Sequence, residues 1–482
     1  MKSFSSYLPF LTILLLGLVI LPWDLPWLYV GSLLGIALLT GLIWIFRKKD
    51  YAKSFLWMTA LLCLVVGLAL HKVPSSLTTK LLLSGREFLN LSAIALVGLG
   101  LTYVFTDKKP LLGVSLGLLG SWAFMLRGLA LPITFPEPSG PYTVGRTQQY
   151  FQDLDREEDF TKAKGDHRYM VLEIFYPAED GAQKTGGDFK NLKCVRTHHQ
   201  YEVPLSTDGP FPVILYSAGS GGSRIDNLTQ AELLASHGYI FIGIDHAYLT
   251  DLTHHEKGFI KAYSMDTLDR GPSQEAYLQD ILQGVRVADL KAVRSLLESW
   301  ATNHYPFPSE AYDLSRVGVC GWSIGGAGAA EVCMTDPRFS AGINYDGWGF
   351  ADISADTVAF QAPFLNLRSD VRPATRLSVM GTGKSLAEVR VMDQRQNERE
   401  KLLKARSKFP VFSARIPGAF HSNLRDHGLL GLSRLGPVDP RFCNQLVSEA
   451  TLNFFNYHLK KPLPSQWHQW YDHQTGLEQL FP

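Results

Sequence analysis

Five stretches without a single Asp, Glu, Lys or Arg occupy residues 3–23, 25–46, 54–71, 88–106 and 110–126. They are 17 to 22 residues long and rich in Leu, Ile, Val, Gly, Phe and Trp. A helix needs about 20 apolar residues to cross a hydrocarbon core, within a range of about 17–25. It also pairs its own backbone N–H and C=O groups there, as lipid requires. One such stretch alone would read equally well as a buried core helix. The first resembles the apolar region of a signal peptide, with Lys2 ahead of it, but no small-residue cleavage site follows. Five in succession predict an all-α membrane segment of four to five spans over residues 1–135.

Charge divides the chain at the same place. The first 135 residues hold 11 Lys+Arg and 4 Asp+Glu, a balance of +7, whereas the rest hold 35 and 41, a balance of −6. The overall net charge of +1 is therefore a cancellation. Lys2, the Arg47-Lys48-Lys49 and Lys53 cluster, and the Lys108-Lys109 pair fall on one side of a five-span bundle. The positive-inside bias makes that side cytoplasmic and places the C-terminal domain outside the cytoplasm. Four spans would place it inside, and Lys72, Lys80 and Arg86 in the third loop weaken the contrast. With 46% apolar residues the chain can bury a large core, which excludes an intrinsically disordered protein. Without a basic excess it is not expected to bind nucleic acid. Its five cysteines form no CxxC pair, so neither a zinc ribbon nor a disulfide scaffold is expected.

Residues 136–482 form the second domain. Short apolar runs at 168–177, 211–217, 239–244, 316–320, 341–345, 363–367 and 411–416 predict strands. Between them, 225–237, 273–300, 325–334 and 440–459 predict helices. The long helix 273–300 should bury Tyr277, Ile281, Val285, Val287, Leu290, Val293 and Leu297. Continuous apolar strands alternating with helices predict an α/β domain, a mostly parallel sheet with helices on both faces. Residues 371–408 read as a charged surface excursion containing a helix.

The chemistry concentrates at Gly321-Trp322-Ser323-Ile324-Gly325-Gly326. The Gly-x-Ser-x-Gly pattern follows a predicted strand and opens a helix of small residues, the setting in which it forms a sharp turn presenting a nucleophilic serine. A serine hydroxyl needs a general base and an orienting carboxylate. His421, in the loop after the last predicted strand, is suited to be the base. His237 and His458 read as packing or surface residues. His254-His255-Glu256 lies near Asp245 and Asp251 but lacks the helical spacing of a metal site, so no metal is expected. Two acids compete for the third role: Asp346 ends the strand after the serine's helix, and Asp370 ends the next. The two N–H groups needed for an oxyanion are expected from Ile324 and from Ser220 or its neighbour in the glycine-rich loop 217–223.

From about Pro136 to Leu459 the chain resembles the platelet-activating-factor acetylhydrolase family of α/β-hydrolases, in its plasma and type II branch. The resemblance rests on Gly140-Pro141-Tyr142-Thr143-Val144-Gly145, Asp155-Arg156-Glu157-Glu158, Phe175-Tyr176-Pro177-Ala178, Leu234-Ala235-Ser236-His237-Gly238-Tyr239, Ile244-Asp245-His246 and the serine turn. It implies an α/β-hydrolase fold and a cofactor-free serine esterase acting on small or phospholipid-like esters with short or oxidised acyl chains. In that family the acid lies 23 residues after the serine, which selects Asp346 and keeps Asp370 in reserve. Its histidine falls in His-x-Asn, matched by His421-Ser422-Asn423, and its oxyanion donors map to Ile324 and Ser220. The pocket wall is expected to include Ala218, Gly219, Trp322, Trp348 and Phe350. Two family histidines are replaced here, by Ala218 and Trp322. Two other readings compete: a prolyl-oligopeptidase-type serine peptidase, which would use Asp370, and a catalytically inactive membrane sensor on a hydrolase fold.

Overall fold

A computed structural model describes residues 133–179, 188–189, 192–255, 258–262, 285–348, 358–371, 385–430, 436–460 and 465–481. These fall within the larger of two compact units of the chain, Pro74–Pro482. The five charge-free stretches lie outside the described residues. Among the described residues no helix is long and apolar enough to cross a membrane.

Among the described residues ten strands form one sheet. In chain order the elements are β1 (Thr143–Glu157), β2 (His167–Ala178), β3 (His199–Tyr201), β4 (Phe211–Ser217), α1 (Leu228–Ser236), β5 (Ile240–His246), α2 (Ala288–Asn303), β6 (Tyr312–Trp322), α3 (Ile324–Thr335), β7 (Ala341–Tyr345), β8 (Phe364–Arg368), α4 (Leu386–Arg406), β9 (Val411–Arg415), α5 (Pro440–Leu459), α6 (Ser465–His473) and β10 (Glu478–Leu480). Across the sheet they run β10-β9-β8-β7-β6-β4-β5-β2-β1-β3. The six strands from β9 to β5 are mutually parallel. On either side of them, β2 and β10 pair antiparallel.

The strand sequences explain the layers. Along β4, Ile214 and Tyr216 enter the core under α1 and α5, whereas Val213 and Leu215 enter the core under α2 and α3. Both faces are covered, so the strand reads as an unbroken apolar run instead of an alternating one. Val285, Val287, Leu290, Val293 and Leu297 are buried as their helical spacing predicts. Tyr277 and Ile281 lie outside the described residues. The charged excursion carries α4, started by a Ser385–Glu388 capping box and fixed to the sheet by an Arg368–Asp393 ion pair of 2.5 Å.

β1 is not among the strands that the sequence predicts. This 15-residue strand pairs with β2 along nearly its whole length but carries Gln148, Gln149, Gln152 and Asp153, and its second half is largely exposed. Partnership with a fully buried strand overrides its weak apolar pattern. The short edge strand β10 was likewise not anticipated.

The chain leaves β4 toward β5 on one side and returns through α2 to β6 on the other. A doubly wound sheet opens a crevice at the carboxyl ends of its strands where the order reverses in this way. The loop after β4 and the turn after β6 meet there.

Candidate active site

Ser323 is the single residue between β6 and α3, and its backbone sits at φ 57, ψ −128. Side chains other than hydrogen rarely occupy that region, and holding one there costs about 1–3 kcal/mol. Surrounding bonds impose it: the Ser323 amide donates to Tyr345 O at 2.9 Å, and its carbonyl accepts from Ala327 N at 3.0 Å. Close packing does the rest. A Cβ on Gly325 would lie 2.0 Å from the Ser217 carbonyl oxygen, so only glycine lets the first turn of α3 press against the end of β4. The strain lifts the serine side chain toward the crevice.

His421 begins a short 3-10 turn after β9. Its Nε2 lies 3.0 Å from Ser323 Oγ and its Nδ1 lies 2.6 Å from Asp346 Oδ2. Asp346 follows β7 at φ 57, and its other oxygen accepts from Ser369 N at 2.8 Å. Burial pushes the Asp346 carboxyl up. The bond and charge of His421, together with the Ser369 bonds, outweigh this and hold it below the ordinary carboxylate value. A charged Asp346 requires Nδ1 to carry the proton and donate. Nε2 is then left as an acceptor facing the Ser323 hydroxyl. The arrangement can take a proton from Ser323 and stabilise the resulting imidazolium.

Asp370 has a different place. Its Oδ2 accepts from Gly418 N at 3.0 Å, and its own amide donates to Ala419 O at 2.6 Å. These bonds tie down the turn that leads into His421. The Nδ1 partner of the histidine is Asp346.

Lowering the Asp346 pKa makes its folded form more stable above the unfolded carboxylate range of about 4. That contribution disappears as pH falls through the lowered folded value. The difference in urea midpoint between the parent chain and Asp346→Asn should therefore be largest near neutrality and shrink on acidification below about pH 4. A difference that stays constant from pH 7 to pH 3 contradicts this.

Trp322 is a backing plate for the histidine. Its Nε1 donates to the His421 carbonyl at 3.0 Å, and the two ring centroids are 4.5 Å apart. The Arg425 guanidinium lies 4.1 Å from the indole centroid and pairs with Asp226 at 3.2 Å. Gly219 abuts the same indole: a Cβ there would lie 2.3 Å from the ring and 3.0 Å from Ser323 Cβ. Of the expected pocket wall, Ala218 is fully buried in the core, Trp322 is buried and Trp348 is half-buried. Phe350 lies outside the described residues.

The exposed Ser220 follows Gly219 directly, against the serine. Among the described residues no bond of the fold uses the Ser220 amide, and the neighbouring Gly221 amide is taken by Leu249 O at 3.0 Å. Ile324 N–H is the first in α3, one of the four that a helix leaves without an internal partner.

A second set of polar residues escaped the sequence reading. Ser217 Oγ lies 2.9 Å from His246 Nε2, and His246 Nδ1 lies 2.7 Å from Asp289 Oδ2. All three are fully buried, so no substrate reaches Ser217. Burial, reinforced by the Arg286 charge, pushes the His246 pKa down to about 3 and keeps the ring neutral. Arg286 donates from Nη2 to the Gly219 carbonyl at 3.0 Å. Only Asp245-His246 at a strand end hinted at this cluster. The other histidines lie elsewhere: His237, read from the sequence as a packing or surface residue, meets Ser139 at 3.1 Å, His458, read likewise, packs on Phe454, and His254 packs on Phe259. Among the described residues no group of three His, Cys, Asp or Glu side chains is arranged to hold a metal.

Comparison with known proteins adds chemistry to this geometry. A sequence-family model described as "Platelet-activating factor acetylhydrolase, isoform II" matches residues 309–481, the span from the start of β6 to β10 that contains Ser323, Asp346 and His421. The platelet-activating factor acetylhydrolase of Cavia porcellus is 22% identical over 398 residues, covering 72% of this chain and 83% of that protein. A probable 1-alkyl-2-acetylglycerophosphocholine esterase of Arthroderma benhamiae is 32% identical over 255 residues, or 46% of this chain and 62% of that protein. The chain is a carboxylic ester hydrolase. Among solved structures, a ferulic acid esterase from Streptomyces cinnamoneus superposes on the esterase with a TM-score of 0.55 at 22% identity, covering 69% of this chain and 95% of that one. That likeness gives the fold, an α/β-hydrolase. The family match supports the platelet-activating factor acetylhydrolase family, and it leaves the Ser220 loop of the esterase outside its span.

Proposed function

We propose that the chain is a membrane-tethered serine esterase whose catalytic triad is Ser323, His421 and Asp346. The observation that carries this is the continuous pair of hydrogen bonds, 3.0 Å from Ser323 to His421 and 2.6 Å from His421 to Asp346. Ser323 Oγ attacks the ester carbonyl while His421 Nε2 removes its proton, and Asp346 stabilises the imidazolium. The N–H groups of Ile324 and Ser220 donate to the developing oxyanion. His421 then returns the proton to the departing alcohol, and water, activated by the same histidine, releases the acid from Ser323. The bond to Asp346 disfavours the peptidase reading, which would use Asp370.

The substrate we propose is a small or phospholipid-like ester with a short or oxidised acyl chain. Support comes from the names of the two relatives, an acetylhydrolase and an alkyl-acetylglycerophosphocholine esterase. Residues 1–135 are proposed to span the bilayer four or five times. Five spans place the catalytic domain outside the cytoplasm, beside lipid substrates. The full chain in detergent should hydrolyse a 2-acetyl glycerophospholipid with at least tenfold higher kcat/KM than its 2-palmitoyl analogue. An equal or reversed preference rejects the short-acyl assignment.

A further inference from the structure

The Gly219–Ser220 peptide is held from behind by a buried cation. The Gly219 carbonyl accepts from Arg286 Nη2 at 3.0 Å and from Gly222 N at 3.0 Å. In a trans peptide the C=O and the following N–H point in opposite directions. Fixing the Gly219 carbonyl toward Arg286 therefore fixes the Ser220 N–H away from it.

The cost of placing Arg286 there is informative. The side chain is fully buried, and among the described residues its Nε and Nη1 have no hydrogen-bond partner. An incompletely paired buried charge lowers stability, so its presence calls for an explanation other than folding. Asp289, Arg168 and Asp245 are among its charged neighbours, and Asp289 is already committed to Arg168 and His246. Arg286 sits in a π-helical turn at 285–287, directly before α2, a local irregularity often found at functional sites. Three residues later on the same helical face, Asp289 holds His246 and through it Ser217. One turn of helix thus grips both Ser217 and Gly219, the start and middle of the loop facing Ser323.

We propose that Arg286 is a positioning residue for catalysis: its guanidinium orients and polarises the Gly219–Ser220 peptide so that the Ser220 N–H is aimed at the oxyanion. A charge-assisted bond on the carbonyl strengthens the N–H of the same peptide as a donor. The inference rests on the reading in which Ser323 attacks and Ser220 donates.

The test uses the full chain and a short-chain nitrophenyl ester. Arg286→Met should lower kcat by about 10- to 100-fold, somewhat less than outright loss of an oxyanion donor, with KM within twofold. Affinity for a trifluoromethyl ketone, which forms a tetrahedral oxyanion on the serine, should weaken by the same factor. The thermal midpoint should stay level or rise, because an incompletely paired buried charge has been removed. Arg286→Lys, which retains a cationic donor, should recover part of kcat. Unchanged kcat and ketone affinity in a folded Arg286→Met chain overturn the proposal. So does a Met variant that fails to fold, since Arg286 is then structural. Labelling of Ser323 in the parent chain by a fluorophosphonate separates the two levels. If Ser323 is unlabelled, the triad reading fails. If it is labelled and Arg286→Met is fully active, only the positioning role fails.

Discussion

Ser323→Ala should reduce kcat for a short-chain nitrophenyl ester by about 10⁶, leaving KM and the thermal midpoint nearly unchanged. Loss of a triad serine has an effect of about that size, and the residue of catalysis over water comes from the oxyanion donors and binding. Among the described residues no other side-chain hydroxyl is hydrogen-bonded to the His421 ring. Ser217, the nearest serine with a histidine partner, is sealed in the core. Alanine meets the same backbone strain at φ 57 as serine does, so the turn itself is unaffected. Measured turnover above about 1% of the parent, in a preparation free of contaminating esterase, would remove Ser323 from the mechanism.

The second large effect is a contrast between two acids. Asp346→Asn should lower kcat by about 10⁴, because an amide offered to Nδ1 favours the tautomer that presents Nε2–H to the serine. The Ser369 amide and the backbone around residue 346 remain satisfied by the asparagine oxygen. Asp370→Asn should fall by less than about tenfold, since an amide oxygen can still accept from Gly418 N and hold the turn before His421. Paired kinetics on the two variants decide between them. Should Asp370→Asn prove the more damaging, the acid assignment fails and the peptidase-like arrangement gains ground.

The sequence revealed the sheet because burial on both faces leaves continuous apolar runs, as at 211–217 and 341–345. Both appear in the fold with those bounds. Ser323 was legible from the glycines its turn requires, and His421 from its loop after the last long strand. The choice between Asp346 and Asp370 was not legible from position, since both follow adjacent strands; family spacing pointed to Asp346, and the bond to Nδ1 falls there. Arg286 was invisible. It stands 67 residues from Gly219 and belongs to no pattern, and its role depends on which carbonyl the folded helix happens to face. β1 was obscured for a related reason: its strand character comes from its partner, and its own composition is polar.

The hydrogen-bonded groups around Ser323 are far apart along the chain, with 98 residues separating Ser323 from His421 and 75 separating Asp346 from His421. Contacts of such long range carry a large loop-closure cost and form only when the strands between them are already side by side. The Ser323 turn needs β4 beneath it, and the His421 turn needs β8 beside it. Assembly of these bonds is therefore expected late in folding, after most of the helix and sheet. A chain with its sheet assembled but the loop after β9 undocked would be native by far-ultraviolet circular dichroism and inert toward esters. Turnover, more than secondary structure, counts the molecules that have finished folding.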